Sequence, residues 1–321
     1  MSKRKAAKQR FCEGGLNSYY KRKEEVKSLH KFLRAVGFSK LSDRRELQKL
    51  VTDCIIDATT RAYTSNMDES MSAEFCKDFA PGMGIAVCGE FDKDEHFTYD
   101  YYYPYVRGQQ ISSQEDISVE RHAAEDSYAG VCDDCKVGVS LIFYLQNKIP
   151  YMKAQMQNRL PIRGTTVNLS ALSVNGTIML PIDKSEQDKA RVQKVAQNRR
   201  TLIDAARRGN EDAIESLTLE DMDMYTIISK RIQNEDVFSL VDTYFMPYGV
   251  ECDQYSVLGE ITDCRTLTNT LTGEQMYLLT LNCNELTFDV CINIIDLFGE
   301  PKVGRRFKGS IWLQGYINFP E

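Results

Sequence analysis

The sequence predicts an α+β protein with a mainly antiparallel sheet, packed helices, a helical connector and a small β-rich lobe. Strand-like alternation recurs between residues 82 and 181 without a helix between most neighbouring segments, which favours α+β over a doubly wound fold. Helical spacing dominates the next stretch, and short strands return near the C-terminus. The predicted segments are a disordered basic extension (1–28), an α+β domain (29–183), a helical connector (184–253) and a barrel-like lobe (254–321), which resembles an OB barrel.

Composition indicates an ordinary folded protein of the cytosol. Apolar residues make up 42% of the chain and charged residues 27%. The longest apolar stretch, residues 137–145, is well short of the ~20 residues of a membrane helix, and no secretory signal follows the start. The 10 cysteines are scattered through the chain, as expected where thiols stay reduced. We therefore expect a cytoplasmic protein without a membrane segment, a disulfide or a cofactor.

Charge is distributed unevenly along the chain. Residues 1–28 carry nine basic and three acidic residues, whereas the rest carries 31 basic and 43 acidic residues, a net charge of −12. Because non-specific affinity for nucleic acid comes mainly from neutralising phosphates, general DNA binding by the acidic body is disfavoured. Order-promoting sequence begins at Leu29, and bacteria can initiate at some leucine codons. We hypothesise that Leu29 is the natural start.

The first domain opens with a predicted helix. Asp43 and Glu46 have the spacing of a capping box, and an apolar stripe with helical spacing follows. The segments predicted as strands come next: Gly84–Phe91, Phe97–Tyr105, Ile117–Arg121, Val137–Leu145, Val167–Val174 and Thr177–Leu180. The odd-numbered aromatics from Phe97 to Tyr105 are predicted to share one face. Asn175-Gly176 predicts a tight hairpin, since both residues tolerate positive φ.

The connector is predicted to contain two or three helices. Ser185 with Asp188 has capping-box spacing, Asn210 can cap a second helix, and Thr218 with Asp221 can open a third. In the last lobe, strands are predicted at Tyr255–Asp263, Gln275–Leu281, Leu286–Cys291 and Phe307–Ile317. An OB barrel normally has five strands, so four give an incomplete barrel.

Cys132 and Cys135 are the candidate metal ligands, because a C-x-x-C spacing lets two thiolates reach one metal or form a redox pair. A structural zinc site needs four ligands, and no second pair occurs. His30, His96 and His122 are far apart and belong to no metal-binding motif. The alternative interpretation is a polar turn between two strands.

Two further groups are candidate sites. Glu220, Asp221 and Asp223 could bind a hard cation or act as acid and base, although carboxylates are also favourable in a first helical turn. A run near the C-terminus interleaves cations and aromatic rings as single-strand-binding sheets do, although its rings could instead fill a barrel interior. Its candidate ligand-binding residues are Arg305, Arg306, Phe307, Trp312 and Tyr316.

Several long runs resemble a family of clostridial-type bacterial proteins that is catalogued as a domain of unknown function. These runs are residues 30–38, 137–147, 213–225 and 244–253. The resemblance covers about residues 29–319. It implies no activity, substrate, cofactor or site residue, and it supports the start at Leu29.

No nucleophile elbow, dinucleotide fingerprint or phosphate loop occurs in the sequence. We therefore expect a non-catalytic cytosolic binding or regulatory protein, with a protein as one conceivable partner. The alternatives are an enzyme with a carboxylate or cysteine-based site in the α+β domain, and single-stranded nucleic-acid binding through the C-terminal lobe.

Overall fold

The computed structural model describes residues 29–66, 70–121, 127–133, 140–160, 164–182, 197–199, 201–203, 205–206, 208–231, 241–250 and 252–320. The predicted disordered extension and the start of the helix predicted to open at Ser185 lie outside the described residues, while residues 197–199, 201–203 and 205–206, near the predicted end of that helix, are helical. No helix of the described ranges has the length and hydrophobicity to cross a membrane.

The described elements alternate between long strands and a few helices. The helices are α1 (Arg44–Ile56), α2 (Lys148–Met156) and α3 (Glu211–Arg231), with 3₁₀ helices at Lys31–Val36 and Ile294–Asp296. The strands are β1 (Thr60–Ser65), β2 (Met71–Ala80), β3 (Met83–Phe91), β4 (Phe97–Val106), β5 (Ile117–Arg121), β6 (Tyr128–Cys132), β7 (Leu141–Leu145), β8 (Thr166–Met179), β9 (Tyr244–Pro247), β10 (Gln254–Thr268), β11 (Gln275–Cys283), β12 (Leu286–Asn293), β13 (Leu297–Phe298) and β14 (Arg306–Asn318).

Strands β1 to β4 form an antiparallel sheet in sequence order, which we call the first sheet. Helix α1 precedes it and starts as the capping pattern predicts, since the Asp43 side chain accepts a hydrogen bond from the N–H of Arg45. The apolar stripe of α1, including Leu47 and Val51, is buried in the same core cluster as the first sheet. The mixed fold and the antiparallel sheet are therefore confirmed.

A β-bulge divides the aromatic strand β4 between two faces. Tyr99 pairs with Gly89 and Tyr101 with Cys88, so Asp100 has no partner on β3. The missing side chain of Gly89 allows this, because a Cβ there would lie 2.2 Å from the Thr98 carbonyl oxygen. The prediction that the odd-numbered aromatics share one face is therefore wrong. Tyr101, Tyr103 and Tyr105 face away from Phe97 and Tyr99.

Five strands close into a barrel within a second, larger sheet. The ring runs β8, β12, β11, β10, β14 and back to β8, and the β8–β12 pair is parallel. Its interior is apolar, with Leu169, Leu279, Phe288, Phe307 and Leu313 in one buried cluster. Strands β7, β6 and β5 extend the sheet beyond β14. A five-stranded barrel is thus present, and its fifth strand, β8, comes from outside residues 254–321.

Strand β8 is continuous through Asn175-Gly176, so the predicted hairpin there is wrong. These residues lie between β14 on one side and the short strand β13 on the other. A Cβ on Gly176 would come within 2.4 Å of the Phe307 ring. Close packing against the barrel interior, rather than a turn, explains the glycine.

The pairing of β8 crosses the predicted domain boundary at residue 183, because β8 and β10 belong to the same barrel. The chain leaves the barrel after β8 and comes back to it before β9, and these two places are close together. The buried guanidinium of Arg306 donates to the carbonyl oxygens of Leu180 at 3.0 Å and Val241 at 3.0 Å. Arg306 therefore holds both ends of the chain segment between β8 and β9 against the barrel by hydrogen bonds.

Helix α3 starts at the position that the sequence predicts, but it is longer than predicted. Asn210 accepts a hydrogen bond from the N–H of Ala213, so the predicted cap is confirmed. The predicted new helix at Thr218 is wrong, because α3 continues to Arg231 and the Thr218 hydroxyl bonds to the Ile214 carbonyl inside it. Glu220, Asp221 and Asp223 thus lie in mid-helix, and a first-turn dipole does not account for them.

The 3₁₀ helix Lys31–Val36 joins the two sheets. Its Phe32 and Leu33 belong to the same buried cluster as Met276, Leu278 and Cys291 on the outer surface of the barrel. Its terminal carbonyls accept hydrogen bonds from four barrel side chains: Asn293, Cys291, Asn269 and Thr272. These bonds satisfy groups that a helix end otherwise leaves without partners.

Candidate functional site

A cavity of about 220 Å³ lies where the first sheet meets the barrel sheet, and we call it the seam pocket. Strands β1, β2 and β4 supply one wall, and the start of α2 and strand β14 supply the other. The lining residues are Thr60, Arg61, Ala62, Glu74, Cys76, Tyr103, Tyr105, Arg107, Gln146, Asn147, Pro150 and Tyr316. Pockets at the junction of two structural units are common ligand sites.

Glu74 is the buried carboxyl of this pocket, with 5% of its surface exposed. It lies in the centre of β2, opposite Ala62 on β1 and Cys88 on β3. Burial raises the pKa of Glu74 above its usual value, and the opposing effects of the Tyr103 hydrogen bond and the nearby Lys148 charge do not cancel that rise. The environment therefore favours the neutral acid.

The hydroxyl of Tyr103 lies between Glu74 and the main chain of Gln146. Its oxygen lies 2.8 Å from Glu74 Oε1 and 2.9 Å from the carbonyl oxygen of Gln146. A tyrosine hydroxyl carries one proton, whereas a carboxylate and a carbonyl both only accept. The Tyr103 hydroxyl therefore donates to only one of the two oxygens at a time, unless a protonated Glu74 donates to Tyr103.

Behind the pocket, buried amides connect the two sheets. Gln146 Nε2 donates to Gln314 Oε1 and to the Val106 carbonyl, each at 2.8 Å, and Gln314 Nε2 donates to the Pro104 carbonyl. Gln146 is 7% exposed, and its Oε1 has no donor among the described residues. A buried acceptor without a donor costs about 1–3 kcal/mol, so this network is one donor short.

One guanidinium group, that of Arg107, lies at the pocket wall, whereas Arg61 pairs with Phe75 and its side chain lies on the opposite face of the first sheet from Glu74. Arg61 is exposed on β1 and donates to the Ile56 carbonyl at 2.7 Å. Arg107 follows β4, is half-buried, and lies 5.4 Å from the centre of the Tyr105 ring. Cations over aromatic faces are held in place by the ring quadrupole. Arg107 is thereby fixed at the edge of the cavity.

The thiols near Glu74 are poor nucleophiles. Cys88 Sγ lies 3.7 Å from Glu74 Oε1, and burial raises its pKa to about 12. Burial also raises the pKa of Cys76, which lines the pocket. The thiolate is the reactive form, so both side chains are inert at neutral pH.

The sequence-predicted metal candidates are only partly described. Cys132 is fully buried at the end of β6, and its Sγ lies 3.6 Å from the Ser113 hydroxyl. Cys135 and His122 lie outside the described residues. His30 and His96 are on separate elements, the first beside Trp312 and the second in the turn after β3.

The C-terminal candidates divide between core and pocket. Phe307 is fully buried inside the barrel, and Arg306 is buried against main-chain carbonyls. Trp312 stacks on Phe32 at 5.3 Å and donates to Asp253, while Arg305 donates to the Glu300 carbonyl. Only Tyr316 of the five lines the seam pocket.

Two acidic groups lie elsewhere on the surface. Asp92, Asp94 and His96 have metal-ligand spacing among the described residues, but Asp92 already accepts hydrogen bonds from the N–H groups of Asp94 and His96. These hydrogen bonds, together with the exposure of the two carboxylates, are typical of an ordinary turn. Glu220 is exposed on α3, forms an ion pair with Arg199 at 3.9 Å, and belongs to no group of three possible metal ligands among the described residues.

Sequence reasoning missed Glu74 and both strands β1 and β2. The pattern around it, Ala73-Glu74-Phe75-Cys76, alternates as a strand does, and a carboxyl flanked by apolar residues there was the one available signal. Its partners Tyr103 and Gln146 are distant in the chain, and spacing alone cannot identify them.

Fold and site together define a mixed α and β protein with a five-stranded barrel and a polar pocket at the seam between two sheets. The chain belongs to the family described as "Domain of unknown function, E. rectale Gene description (DUF3881)", whose model matches residues 33–315. This confirms the resemblance seen in the sequence. Neither a curated protein nor a solved structure matches the chain.

Proposed function

We propose that the protein is a non-catalytic binding protein whose small-molecule ligand occupies the seam pocket. The observation that carries this proposal is the buried carboxyl of Glu74 on the pocket wall, hydrogen-bonded to Tyr103, beside Gln146, whose acceptor lacks a donor among the described residues. Proteins rarely bury a carboxyl and leave a cavity beside it without a functional reason. The inert thiols Cys76 and Cys88 support binding rather than nucleophilic catalysis.

We also propose that the barrel is a rearranged OB barrel. Its ring has the OB order if β10, β11 and β12 are the first three strands, β14 the fourth and β8 the fifth. In this arrangement the fifth strand comes from the N-terminal side. OB barrels bind oligonucleotides on the face of their second and third strands.

The residues on that face give little support for nucleic-acid binding by this protein. On β11 and β12 its outward side chains Leu278 and Cys291 pack against the 3₁₀ helix Lys31–Val36 of the same chain. A base cannot stack where the chain's own helix is seated, and Trp312 is 5% exposed under the same helix. The seam pocket is therefore the better candidate.

A pocket-filling variant tests the proposed function. Ala62 lines the pocket opposite Glu74, so Ala62→Phe places a ring in the cavity. Thr266→Phe is the matched control, since Thr266 is exposed on β10 away from the pocket. A fragment library of anionic, neutral and cationic compounds is screened by saturation-transfer NMR.

We expect hits on the wild type and on Thr266→Phe that are lost on Ala62→Phe, with all three proteins folded by circular dichroism. Hits that persist on folded Ala62→Phe, or a library without any hit on the wild type, would show that the pocket is not a ligand site.

A further inference from the structure

We infer that the seam pocket binds a small molecule with both an ammonium and a carboxylate group, such as an amino acid; this rests on the proposed function and names its ligand class. Two side chains of the cavity lining, Glu74 and Arg107, have opposite formal charges. Each keeps a hydrogen-bonding group that the described residues do not occupy. The lining therefore offers both an acceptor and a donor to one ligand.

The free group of Glu74 is its second oxygen. Oε1 lies 2.8 Å from the Tyr103 hydroxyl and 3.7 Å from Cys88 Sγ. Oε2 has no hydrogen bond with a described residue and, unlike Gln146 Oε1, it is not cut off from solvent. Glu74 is 5% exposed and lines the cavity, so Oε2 is the oxygen that faces it. A donor group of a ligand can therefore reach this oxygen.

The free groups of Arg107 are its guanidinium N–H groups. The guanidinium carbon lies 5.4 Å from the centre of the Tyr105 ring, and the guanidinium has no hydrogen bond with a described residue. Asp78 is close and its negative charge acts on Arg107, but its carboxylate accepts a hydrogen bond from the Tyr105 hydroxyl instead. Asp78 thus offsets part of the charge of Arg107 and leaves the N–H groups for a ligand carboxylate, which a guanidinium binds through two parallel hydrogen bonds.

The two groups lie apart along the cavity. Glu74 pairs with Cys88, and Cys88 pairs with Tyr101, so these three residues are level across the first sheet. Arg107 comes after Val106, the last residue of β4, and its guanidinium lies over the ring of Tyr105. The acceptor is therefore toward one end of the cavity and the donor toward the other.

A ligand with a single charged group leaves one end of this lining without a partner. A carboxylate alone can bind Arg107 but gives Glu74 Oε2 no donor, and an amine alone gives the Arg107 guanidinium no acceptor. An amine also meets the nearby charge of Lys148, whose buried ammonium lies 4.8 Å from the centre of the Tyr101 ring. Because a ligand displaces the water that would otherwise solvate both ends, a molecule that carries both groups is favoured.

The burial of Glu74 is compatible with an ammonium ligand. Burial raises the pKa of Glu74 and favours the neutral acid in the free protein. An ammonium at Oε2 is an opposite charge within hydrogen-bond distance, which stabilises the ionised carboxyl and forms a charge-assisted hydrogen bond.

The rest of the lining fits an apolar side chain. The rings of Tyr103, Tyr105 and Tyr316 and the side chains of Ala62 and Pro150 surround the cavity. Its volume of about 220 Å³ limits the ligand to a compact molecule. The ligand class is therefore a small amino acid or a related amino carboxylate with an apolar portion.

Isothermal titration calorimetry of the full chain tests the inference with the standard amino acids, and with β-alanine and 4-aminobutyrate for a wider spacing of the two charges. The tightest binder is then compared with the same molecule without its amino group and without its carboxylate; for leucine these are 4-methylpentanoate and 3-methylbutylamine. We expect the amino acid to bind about tenfold or more tightly than either counterpart.

Variants connect this preference to the two side chains. Arg107→Met should weaken the amino acid about tenfold and remove its advantage over the amine that lacks the carboxylate. Glu74→Gln should weaken it about tenfold and remove its advantage over the acid that lacks the amino group. Glu74→Gln keeps the shape of the side chain, so it remains a test if Arg107→Met does not fold.

Matched controls are Arg265→Met and Glu260→Gln, because both residues are exposed on β10 outside the pocket. Each control should bind the amino acid as the wild type does. A loss of affinity in the controls equal to that in the pocket variants would place the binding site elsewhere and overturn the inference.

The failures of the two proposals are distinguishable. A wild type that binds no amino acid, or binds either singly charged counterpart as tightly, overturns the amino-carboxylate inference, while fragment hits lost on Ala62→Phe keep the proposed function. Unchanged affinity in folded Glu74→Gln overturns the inference as well. A wild type that binds neither an amino acid nor any fragment overturns the proposed function itself.

Discussion

The two faces of strand β2 differ completely although Glu74 and Phe75 are neighbours in the chain. Phe75 is fully buried among aromatic rings, 5.0 Å from Phe97 and 5.9 Å from Tyr63 between ring centres. Glu74, on the opposite face, is buried among hydroxyl, amide and thiol groups beside a cavity. On the Phe75 face the side chains pack closely together. On the Glu74 face they are hydrogen-bonded, and a cavity remains beside them.

This difference separates stability from recognition. Close-packed rings contribute through buried area and contact, which any truncation removes. Hydrogen-bonded groups beside a cavity contribute little net stability, since water offers the unfolded chain the same bonds. We therefore expect substitutions on the two faces to have effects of different size and different pH dependence.

The largest effect is expected from Phe75→Ala. Removing a fully buried ring from the aromatic face leaves a cavity and should lower the free energy of unfolding by about 3–5 kcal/mol. Glu74→Gln, one position away, keeps shape and hydrogen bonding and should cost less than about 1 kcal/mol at neutral pH. Urea denaturation of both variants measures the contrast, and equal losses would show that the two faces are not distinct.

An intermediate effect is expected from Tyr103→Phe. The variant removes the hydroxyl that connects Glu74 with the Gln146 carbonyl and leaves both buried groups short of a partner, at a cost of about 1–3 kcal/mol. Tyr316→Phe is the matched control within the pocket, because its hydroxyl makes no hydrogen bond with the described residues, and it should stay within about 0.5 kcal/mol of the wild type. Equal urea midpoints for the two variants would contradict a structural role for the Tyr103 hydroxyl.

A smaller, pH-dependent effect is expected from Glu74→Gln. Since burial raises the pKa of Glu74, the folded protein keeps a proton that the unfolded chain has already released. The wild type should therefore lose stability as pH rises from the ordinary range of a glutamate through the raised folded value, and the variant should lack this component. The groups that face Glu74 and are common to both proteins are Tyr103, Cys88, Cys76, Lys148 and Arg107.

The difference between the urea midpoints of wild type and Glu74→Gln across pH isolates this carboxyl. A difference that does not change with pH would mean that Glu74 is ionised in the folded state. In that case the description of Glu74 as a carboxyl kept neutral by burial would be wrong.

Local sequence patterns predicted helix α1 and the barrel strands better than the region where the two sheets meet. Helix α1 followed from Asp43 and its apolar stripe, and the strands of the barrel interior were located to within a few residues because alternation is a local signal. The bulge at Asp100 and the continuity of β8 through Asn175-Gly176 were missed. Both depend on strands far away in the chain, and sequence spacing carries no record of them.

The site was less predictable than the fold for the same reason. Glu74 becomes notable only when Tyr103 and Gln146 are beside it, and these three residues come from β2, β4 and the end of β7. The aromatic and basic run near the C-terminus attracted attention because it is contiguous. Most of it is core, since the interior of a closed barrel must be filled.

A second pH-dependent effect is expected at His30, which joins the packed and polar parts of the molecule. Its Nδ1 accepts from the N–H of Phe32, and its ring lies 4.9 Å from the ring of Trp312, the single tryptophan. Burial, with a contribution from Lys31, lowers the pKa of His30 to about 4. Below the ordinary pKa of histidine, His30 is protonated in the unfolded chain but neutral in the folded protein. The free energy of unfolding should therefore decrease as the pH is lowered to about 4, and then level off.

Tryptophan fluorescence follows this contact directly. Acid should change the Trp312 emission of the wild type near pH 4, because a protonated imidazole cannot accept from Phe32 and loosens the 3₁₀ helix against the barrel. His30→Asn keeps a capping acceptor without the titration and should show a smaller change. Asp253, which accepts from the Trp312 indole, is present in both proteins, so the difference between them belongs to His30. Identical curves would mean that the 3₁₀ helix stays packed against the barrel whatever the charge of His30.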